Sequence, residues 1–321
     1  MSIQKKPATA SKQQVQTVRI TERHDGQRVD NFLIRELKGV PRTRVYRLIR
    51  RGEVRVNKKR CKPDFKLSYG DEVRIPPVRN GKARKSDKIS PGLAQLLRST
   101  VLLETDLLMV INKPAGLPVH GGTGVRLGLI DALRQMDEGW RHLELVHRLD
   151  RDTSGCLVIA KKLNVLKLLQ HEFKEKRVEK TYHALVHGQW PVDLEKIDVP
   201  LRKNQLSSGE RIVQVSKEGK SAVTGFKVLE SYANSSLVEA RPSTGRTHQI
   251  RVHCQHAGHP IIGDSKYGPK SIPDGLKNVK KLCLHAARIK FLDPASDGWL
   301  ELEAPWDNFF KSLKMELNNS S

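Results

Sequence analysis

The sequence has 321 residues, of which 37% are hydrophobic, and a formal net charge of +23. Its length allows about two domains of roughly 150 residues each. No apolar run approaches the ~18 residues of a membrane-spanning helix, and residues 1–16 lack the apolar core of a secretory signal, so we expect a cytoplasmic protein. The cysteines Cys61, Cys156, Cys254 and Cys283 form no CxxC pair, which argues against a disulfide framework or a cysteine zinc site.

The positive charge is concentrated in the first part of the chain. Residues 1–90 contain 25 basic and 9 acidic side chains, whereas residues 91–321 contain 33 and 26. Such a segregated field attracts a polyanion, so we expect a nucleic-acid partner. An anionic membrane surface is a weaker alternative, because no segment combines this charge with a strongly apolar helical face.

The N-terminal region is predicted to be a polar arm followed by a compact unit. Residues 1–17 contain almost no large apolar side chains, so we expect them to be disordered. Residues 18–78 are expected to fold. Apolar side chains at helical spacing predict a first helix over residues 28–37, and Gly39-Val40-Pro41 ends it.

A second helix is predicted to begin near Thr43, which can serve as its N-cap, and to end at Gly52. Its buried face is expected to hold Val45, Leu48 and Ile49. Another face carries three aligned arginines, which are Arg44, Arg47 and Arg51. Alternating residues predict strands over 53–57 and 72–75. This helix pair, followed by GEVRVN and GDEVRIP, resembles the S4 RNA-binding module, and the resemblance implies that the three arginines contact phosphates.

The rest of the chain is predicted to be one α+β domain. Residues 79–94 have linker composition, residues 95–315 form the second domain, and residues 316–321 are a tail. Apolar or alternating runs predict strands over 107–111, 156–160, 184–186, 222–228 and 236–240, and residues 165–176 a helix. The strands are not separated by regular helices, so we expect a mixed, mainly antiparallel sheet rather than a doubly wound parallel one.

The segment HRLDRDTSG, residues 147–155, is the clearest candidate for a catalytic site. Asp150 lies on the loop that enters the short apolar run Cys156–Ala160, which is typical of a buried strand. A carboxylate at that position can be held rigidly at the floor of a cleft.

Four ordered motifs resemble those of RNA pseudouridine synthases of the RluA type: NKPAGLPVH at 112–120, HRLDRDTSG, KTYHA at 180–184, and GRTHQIRVH at 245–253 followed by GHPI at 258–261. The resemblance implies that Asp150 is the catalytic aspartate, with Tyr182 stacking on the uracil and Arg251 pairing with Asp150 to keep it ionised. The module in front brings the chain closest to the bacterial synthases that act on 23S rRNA of the large ribosomal subunit.

The resemblance also assigns residues to substrate or RNA binding. Arg148 is expected to fill the space that the target base leaves when it turns out of the stack. His147, Arg246 and His248 are assigned to the same class. The conversion of uridine into pseudouridine, which the resemblance implies, involves no net oxidation or hydrolysis, so we expect no cofactor and no metal. Asp150 can act as a nucleophile on the sugar or as a base at C2′, and the sequence does not choose between these.

Three alternatives remain. The segment with His248, His253, Cys254, His256 and His259 suggests a metal site, although no known zinc spacing is present. An RNA glycosidase needs two carboxylates that face each other across the scissile bond, and Asp150 and Asp152, as alternate residues of an extended chain, could share a side. An S4-type RNA chaperone with a degenerate catalytic domain would need no intact Asp150 or Tyr182, yet both are present. We expect RNA as the partner, no protein partner, and a monomer.

Overall fold

The computed structural model describes residues 15–37, 39–78, 88–121, 127–205, 211–269, 271–272 and 276–319. The chain divides into two compact units, Met1–Ser86 and Asp87–Ser321. The predicted disordered arm lies almost entirely, and the predicted linker in large part, outside the described residues. No helix of the described segments is both long enough and apolar enough to cross a membrane.

The first unit consists of a small sheet and a helix pair. Its elements are β1 (Gln16–Arg19), α1 (Val29–Glu36), α2 (Arg42–Arg50), β2 (Arg55–Val56) and β3 (Glu72–Ile75). The strands pair antiparallel in the order β1-β3-β2. β1 begins at Gln16, two residues before the predicted start of the unit, because its backbone pairs with β3.

The predicted cap of α2 at Thr43 is wrong. The helix begins at Arg42, Pro41 occupies the N-cap position, and no side chain caps the helix. The backbone amides of Arg44 and Val45 donate to the carbonyl of Pro41 at 2.9 and 3.2 Å, so the helical hydrogen bonds start from that carbonyl. Thr43 therefore lies inside the first turn. The predicted inward residues of α2 are all buried: Val45, Leu48 and Ile49.

The second unit is built on one large sheet. Its strands are β4 (Val101–Glu104), β5 (Leu108–Lys113), β6 (Glu144–Leu145), β7 (Ser154–Ala160), β8 (Glu179–His187), β9 (Lys196–Asp198), β10 (Leu201–Gln205), β11 (Arg211–Val215), β12 (Val223–Tyr232), β13 (Ser235–Pro242), β14 (Leu284–Leu292) and β15 (Trp299–Glu303). Its helices are α3 (Pro91–Ser99), α4 (Leu129–Leu133), α5 (Leu163–Lys174), α6 (Gln249–His256) and α7 (Asn308–Asn319).

The main sheet has the order β4-β5-β7-β14-β8-β13-β12-β9, with β15 beside β14 and β6 beside β7. β7 and β14 run parallel, and the other described pairings are antiparallel. β10 and β11 form a separate antiparallel pair. The prediction of an α+β fold with a mixed, mainly antiparallel sheet is confirmed.

Two helices of this unit extend beyond its predicted boundaries. α3 begins at Pro91, inside the predicted linker, because the Ser90 hydroxyl accepts a hydrogen bond from the Leu93 amide at 3.3 Å and a proline follows the cap. α7 continues to Asn319 and so includes most of the predicted tail. Its buried Phe310 and Leu313 pack into the core beside β8 and β13.

β7 is buried on both faces along its whole length. Leu157 and Ile159 belong to a core cluster that includes α3 and α4 residues, while Val158 and Ala160 belong to a second cluster that includes α5 residues. Alternate side chains of a strand point to opposite faces. Helices on both faces therefore explain why this strand is continuously apolar instead of alternating.

Gly155 lets β7 and β14 approach each other. Its φ is +107°, and a Cβ atom at this position would lie 2.2 Å from the carbonyl oxygen of Ala286, its partner across the parallel pair. Only glycine fits such an approach in that backbone conformation. Gly155, the last residue of HRLDRDTSG, therefore has a structural role: it holds the start of β7 against β14 and so fixes the end of the loop that carries Asp150.

Candidate active site

Asp150 lies on the loop immediately before β7, and a buried lysine holds that loop. The Lys113 ammonium, at the end of β5, donates to the carbonyl oxygens of Pro114, Leu117 and Arg151 at 2.8, 2.9 and 2.9 Å. The amide of Gly116 donates to the same Arg151 carbonyl at 2.9 Å. Burial lowers the pKa of Lys113 to about 7, although the charges of Asp152 and Asp150 oppose the shift. The NKPAG motif thus fixes the backbone next to Asp150.

Two nitrogen atoms face the same oxygen of the Asp150 carboxylate. Oδ2 lies 3.9 Å from Nη1 of Arg251 and 3.8 Å from Nε2 of His248. Both residues come from the GRTHQIR motif at the start of α6. Polar contacts in an unliganded catalytic site are often long and shorten when substrate binds. The structure therefore brings Asp150, Arg251 and His248 together, whereas the sequence analysis expected only Arg251 beside Asp150.

Arg251 has a closer partner, which the sequence reasoning missed. Its Nε and Nη2 donate to Oδ2 and Oδ1 of Asp264, both at 2.7 Å, and the two side chains are buried. Asp264 also accepts from the amides of Lys266 and Tyr267 at 2.9 and 3.0 Å. The Tyr267 ring packs against the guanidinium, 5.0 Å from its centre. Arg251 is thus locked by a bidentate ion pair, and its remaining nitrogen, Nη1, is directed at Asp150.

A buried polar network positions the start of α6. The Gln249 side chain accepts from the Thr244 hydroxyl at 2.7 Å and from the Arg246 amide at 3.0 Å. It donates to the Val223 carbonyl at 2.9 Å and to the Thr224 hydroxyl at 3.0 Å. These bonds attach α6 to β12 and to the loop after β13. The orientation of His248 and Arg251 follows from them.

Tyr182 lies on β8 and, with Asp150, lines the same cleft. Burial raises the pKa of its hydroxyl, and the charge of Asp150 raises it further. The hydroxyl is therefore a neutral phenol at neutral pH, and the partly buried ring is available to contact a bound base. Its predicted stacking role stays a prediction.

The cleft has a volume of about 580 Å³, within the roughly 300–1,000 Å³ of small-molecule sites. Asp150, Tyr182, His248 and Arg251 line it together. Further cationic and polar side chains also line it: Arg148, Lys174, Lys176, Lys180, Thr244 and Arg246. The cleft therefore combines one carboxylate with several cationic side chains, an arrangement that suits an anionic polymer.

Three predicted RNA-binding residues of the cleft differ in how firmly they are held. The exposed Arg148 has no hydrogen-bond or ion-pair partner among the described residues, so it is free to reach a ligand. Arg246 donates from Nε to the Ser221 carbonyl at 3.0 Å. The His147 ring accepts from the Val158 amide at 3.1 Å and stacks on Phe173, and burial lowers its pKa to about 3.

Two of the three predicted S4 arginines line a small groove. A groove of about 330 Å³ is lined by Thr43, Arg47, Arg50 and Arg51. Arg44 is half-buried and lies outside it, whereas Arg50, which the sequence analysis did not select, contributes to it. Arg50 is therefore a further candidate for RNA contact in this groove. Contact with phosphate stays a prediction for each arginine.

The histidine and cysteine residues that suggested a metal site have separate environments. His253 is buried and hydrogen-bonds Thr224 at 2.9 Å, His259 hydrogen-bonds the backbone carbonyl of His187 at 2.9 Å, and His256 is exposed. Within the described segments, no group of three or more His, Cys, Asp or Glu side chains could hold a metal ion.

The residues that sequence reasoning missed lie mainly in GDSKYG, residues 263–268. Asp264 supports Arg251, and Tyr267 contacts both Arg251 and His248. The segment is separated only by Ile262 from GHPI, which was recognised, and its acidic residue in a strongly basic chain was the available signal. Lys174 and Lys176 were also missed, because surface lysines near a helix end carry no specific pattern. Lys180 is the first residue of KTYHA and lies on β8, but the sequence analysis gave it no role.

Comparison with known proteins agrees with this geometry. Residues 107–256 match the family described as RNA pseudouridylate synthase, and residues 27–73 match the S4 domain. The chain is 50% identical over 312 residues to proteins named Ribosomal large subunit pseudouridine synthase C from Salmonella typhimurium (strain LT2) and from Escherichia coli (strain K12). Each match covers 95% of this chain and 98% of the relative.

A solved structure, Human RNA Pseudouridylate Synthase Domain Containing 4, has 30% sequence identity and a TM-score of 0.60. The match covers 71% of this chain and 96% of that one. The predicted resemblance to the RluA-type enzymes and to the S4 module is confirmed. The chain is a member of the RNA pseudouridylate synthase family with an N-terminal S4 domain, and hence an isomerase.

Proposed function

We propose that this enzyme converts specific uridines of 23S ribosomal RNA into pseudouridine. The names of the 50%-identical relatives support the large-subunit substrate. The observation that carries the chemistry is the environment of Asp150. Two nitrogen atoms face its Oδ2, while no side chain of the described segments pairs with Oδ1, so one oxygen is available to a substrate in the cleft. We therefore also assign the enzyme to the cytoplasm, where this substrate is found.

The reaction breaks the N1–C1′ bond and forms a C5–C1′ bond. As a nucleophile, Asp150 would attack C1′, and the bonding electron pair would leave with N1 of the uracil. After the base turns, C5 would attack C1′, the carboxylate would be released, the C5 proton would be lost and N1 would gain one. As a base, Asp150 would instead remove the C2′ proton as N1 leaves with the C1′–N1 electron pair, which forms a C1′=C2′ double bond. After the base turns, C5 would bond to C1′, Asp150 would return its proton to C2′, the C5 proton would be lost and N1 would gain one. Either route ends with the carboxylate regenerated, so no external reactant is consumed.

The target base must leave its stack before Asp150 can reach the sugar. Arg148 is exposed and unpaired within the described segments, two residues before Asp150 in the sequence, and so suits the vacated space. Tyr182 offers a ring inside the cleft on which the uracil can stack. His147, Arg246 and His248 line the same cleft and would contact the nucleotide or its phosphates.

The N-terminal unit would supply affinity and the choice of site. The S4 match and the basic groove of Arg47, Arg50 and Arg51 support RNA-phosphate contact by this unit. We assign residues 18–78 to RNA binding and residues 88–319 to catalysis. In this division, loss of the groove weakens binding and site discrimination without removing the chemistry.

The decisive experiment is to map pseudouridine in 23S rRNA from cells with the gene, cells without it, and cells that carry only Asp150→Asn. We expect specific positions to lose pseudouridine in the second and third strains. The two alternatives predict other results. A non-catalytic chaperone predicts that Asp150→Asn restores the wild-type phenotype and that the map does not change. An RNA glycosidase predicts abasic sites in place of pseudouridine.

A further inference from the structure

The ring of His248 lies between Asp150 and Tyr267. Its Nδ1 is 2.7 Å from the Tyr267 hydroxyl, and its Nε2 is 3.8 Å from Oδ2 of Asp150. The backbone of His248 is left-handed, with φ of 55° and ψ of 21°. A non-glycine residue keeps this costly conformation only where its surroundings impose it, and such residues cluster at functional sites. The ring is thus held in one orientation, with Nδ1 toward Tyr267 and Nε2 toward Asp150.

The hydrogen bonds of Tyr267 indicate which nitrogen of His248 carries the proton. The amide of Val213 donates to the Tyr267 hydroxyl at 3.0 Å, so one acceptor position of that oxygen is filled. A phenol has a single proton to donate. Within the described segments, Nδ1 of His248 is the acceptor within reach of it. His248 then carries its own proton on Nε2, which faces Asp150.

The charge environment agrees with a neutral His248. Burial lowers its pKa, as do Arg251 and Lys266, while Asp150 and Asp264 raise it, and the net pKa is below the ordinary value. Burial also raises the pKa of Tyr267, so its hydroxyl keeps the proton that it donates. A neutral imidazole has one N–H group, so His248 can donate to Asp150 only if that group is on Nε2.

We propose that Tyr267 is a positioning residue for catalysis: it holds His248 with its N–H at Nε2, and His248 thereby orients the Asp150 carboxylate. This inference rests on the proposed function. Arg251 faces the same oxygen, Oδ2, with Nη1 at 3.9 Å. If both nitrogens close on Oδ2 when substrate binds, Oδ1 is the oxygen that meets the sugar. Segment 264–267 supports both donors, since Asp264 holds Arg251 and Tyr267 holds His248.

The test is a double-mutant cycle measured as the single-turnover rate on 23S rRNA. Tyr267→Phe keeps the ring against Arg251 and removes the hydroxyl. His248→Gln places an amide N–H near the position of Nε2, and that donor does not depend on Tyr267. Tyr232→Phe is the matched control, because the Tyr232 hydroxyl bonds Glu230 away from the cleft.

We expect Tyr267→Phe alone to slow single turnover about 10-fold, equivalent to ~1.4 kcal/mol, with little change in RNA affinity. In the His248→Gln background, Tyr267→Phe should change the rate by less than about 2-fold, because the donor no longer needs orienting. Tyr232→Phe should leave the rate unchanged. An equal loss in both backgrounds would overturn the proposal, since Tyr267 would then act independently of His248.

The pH profile separates tautomer control from a general structural defect. A protonated His248 carries N–H groups on both nitrogens, so it donates to Asp150 without help from Tyr267. The rate deficit of Tyr267→Phe should therefore shrink as the pH is lowered, within the range where wild-type enzyme stays active. In the His248→Gln background, no such recovery is expected. A deficit that is constant with pH would contradict the tautomer argument.

If Tyr267→Phe fails to fold, because Val213 loses its acceptor, His248→Gln is compared with His248→Leu. The glutamine variant should turn over faster than the leucine variant at equal RNA affinity, and equal rates would overturn the proposal. The wild-type rate tests the proposed function separately. A wild-type chain that forms no pseudouridine contradicts that function, whereas an active wild-type chain with insensitive variants contradicts only the role of Tyr267.

Discussion

Replacing Asp264 by Asn should damage both stability and catalysis. The change leaves the buried Arg251 guanidinium without a counter-charge at 2.7 Å. Removing one partner of a buried ion pair costs about 3–5 kcal/mol. At roughly 2–4 °C per kcal/mol for a domain of this size, the melting temperature should fall by roughly 6–20 °C. The exposed pair of Asp198 and Lys196 provides the control, because Asp198→Asn should cost about 1 kcal/mol or less.

Catalysis should suffer separately, because Asp264 directs Nη1 of Arg251 toward Asp150. Misplacement of a catalytic group by about 1 Å can cost about 100-fold in rate, so we expect a decrease of that order in single turnover. The double variant Arg251→Met with Asp264→Leu should regain most of the stability, since it replaces the buried charges by apolar groups. It should regain no activity. Thermal melts and single-turnover assays of all four chains measure both effects.

The same pair has a defined pH dependence. Burial acts to raise the pKa of Asp264, but the hydrogen bonds and charge of Arg251 outweigh it, and the net pKa lies below the ordinary 3.8. A lowered folded-state pKa stabilises the protein above the unfolded value, and this contribution is lost as the pH falls through the folded one. The stability gap between wild type and Asp264→Asn should therefore narrow only below about pH 4. A melting temperature of Asp264→Asn equal to that of Asp198→Asn would refute this reasoning.

Three further predictions concern the active site and the RNA groove. Asp150→Asn should abolish isomerisation while RNA binding, measured by filter retention, changes little; Asp152→Asn should keep substantial activity, and the reverse pattern would reassign the catalytic carboxylate. Turnover should survive EDTA treatment and dialysis, with magnesium supplied for the RNA fold alone, and recovery specifically by zinc would contradict this. Alanine at Arg47, Arg50 and Arg51 should weaken binding and flatten the dependence of log K on log salt by about 0.7–0.9 for each phosphate that the protein no longer neutralises; an unchanged slope would mean that the groove does not bind RNA.

Local sequence patterns predicted individual strands in both units well. The apolar run after HRLDRDTSG forms β7, and the predicted strand at 72–75 is β3. Such patterns depend on side-chain alternation and burial, which are properties of neighbouring residues. Where a cap was judged from one residue, as at Thr43, the prediction failed, because the adjacent proline offered another start for the helix.

The support of the site could not be predicted in the same way. Asp264 is only 13 residues from Arg251, yet their pairing depends on how α6 and the following turn return to the sheet. Periodicity carries no information about such a return. Arg251 was correctly expected near Asp150, but its tightest partner depends on tertiary packing.

The central position of β7 has a consequence for how the enzyme loses activity. β7 lies between β5 and β14, with both faces in the core, and its first residues follow soon after Asp150. Amides in such a strand exchange with solvent only through global opening, in contrast to those of loops that open locally. The free energy of opening, measured by amide exchange over residues 156–160, should therefore equal the free energy of unfolding of the second unit. Heat inactivation should then coincide with cooperative unfolding of that unit, with no partly active, locally melted state before it.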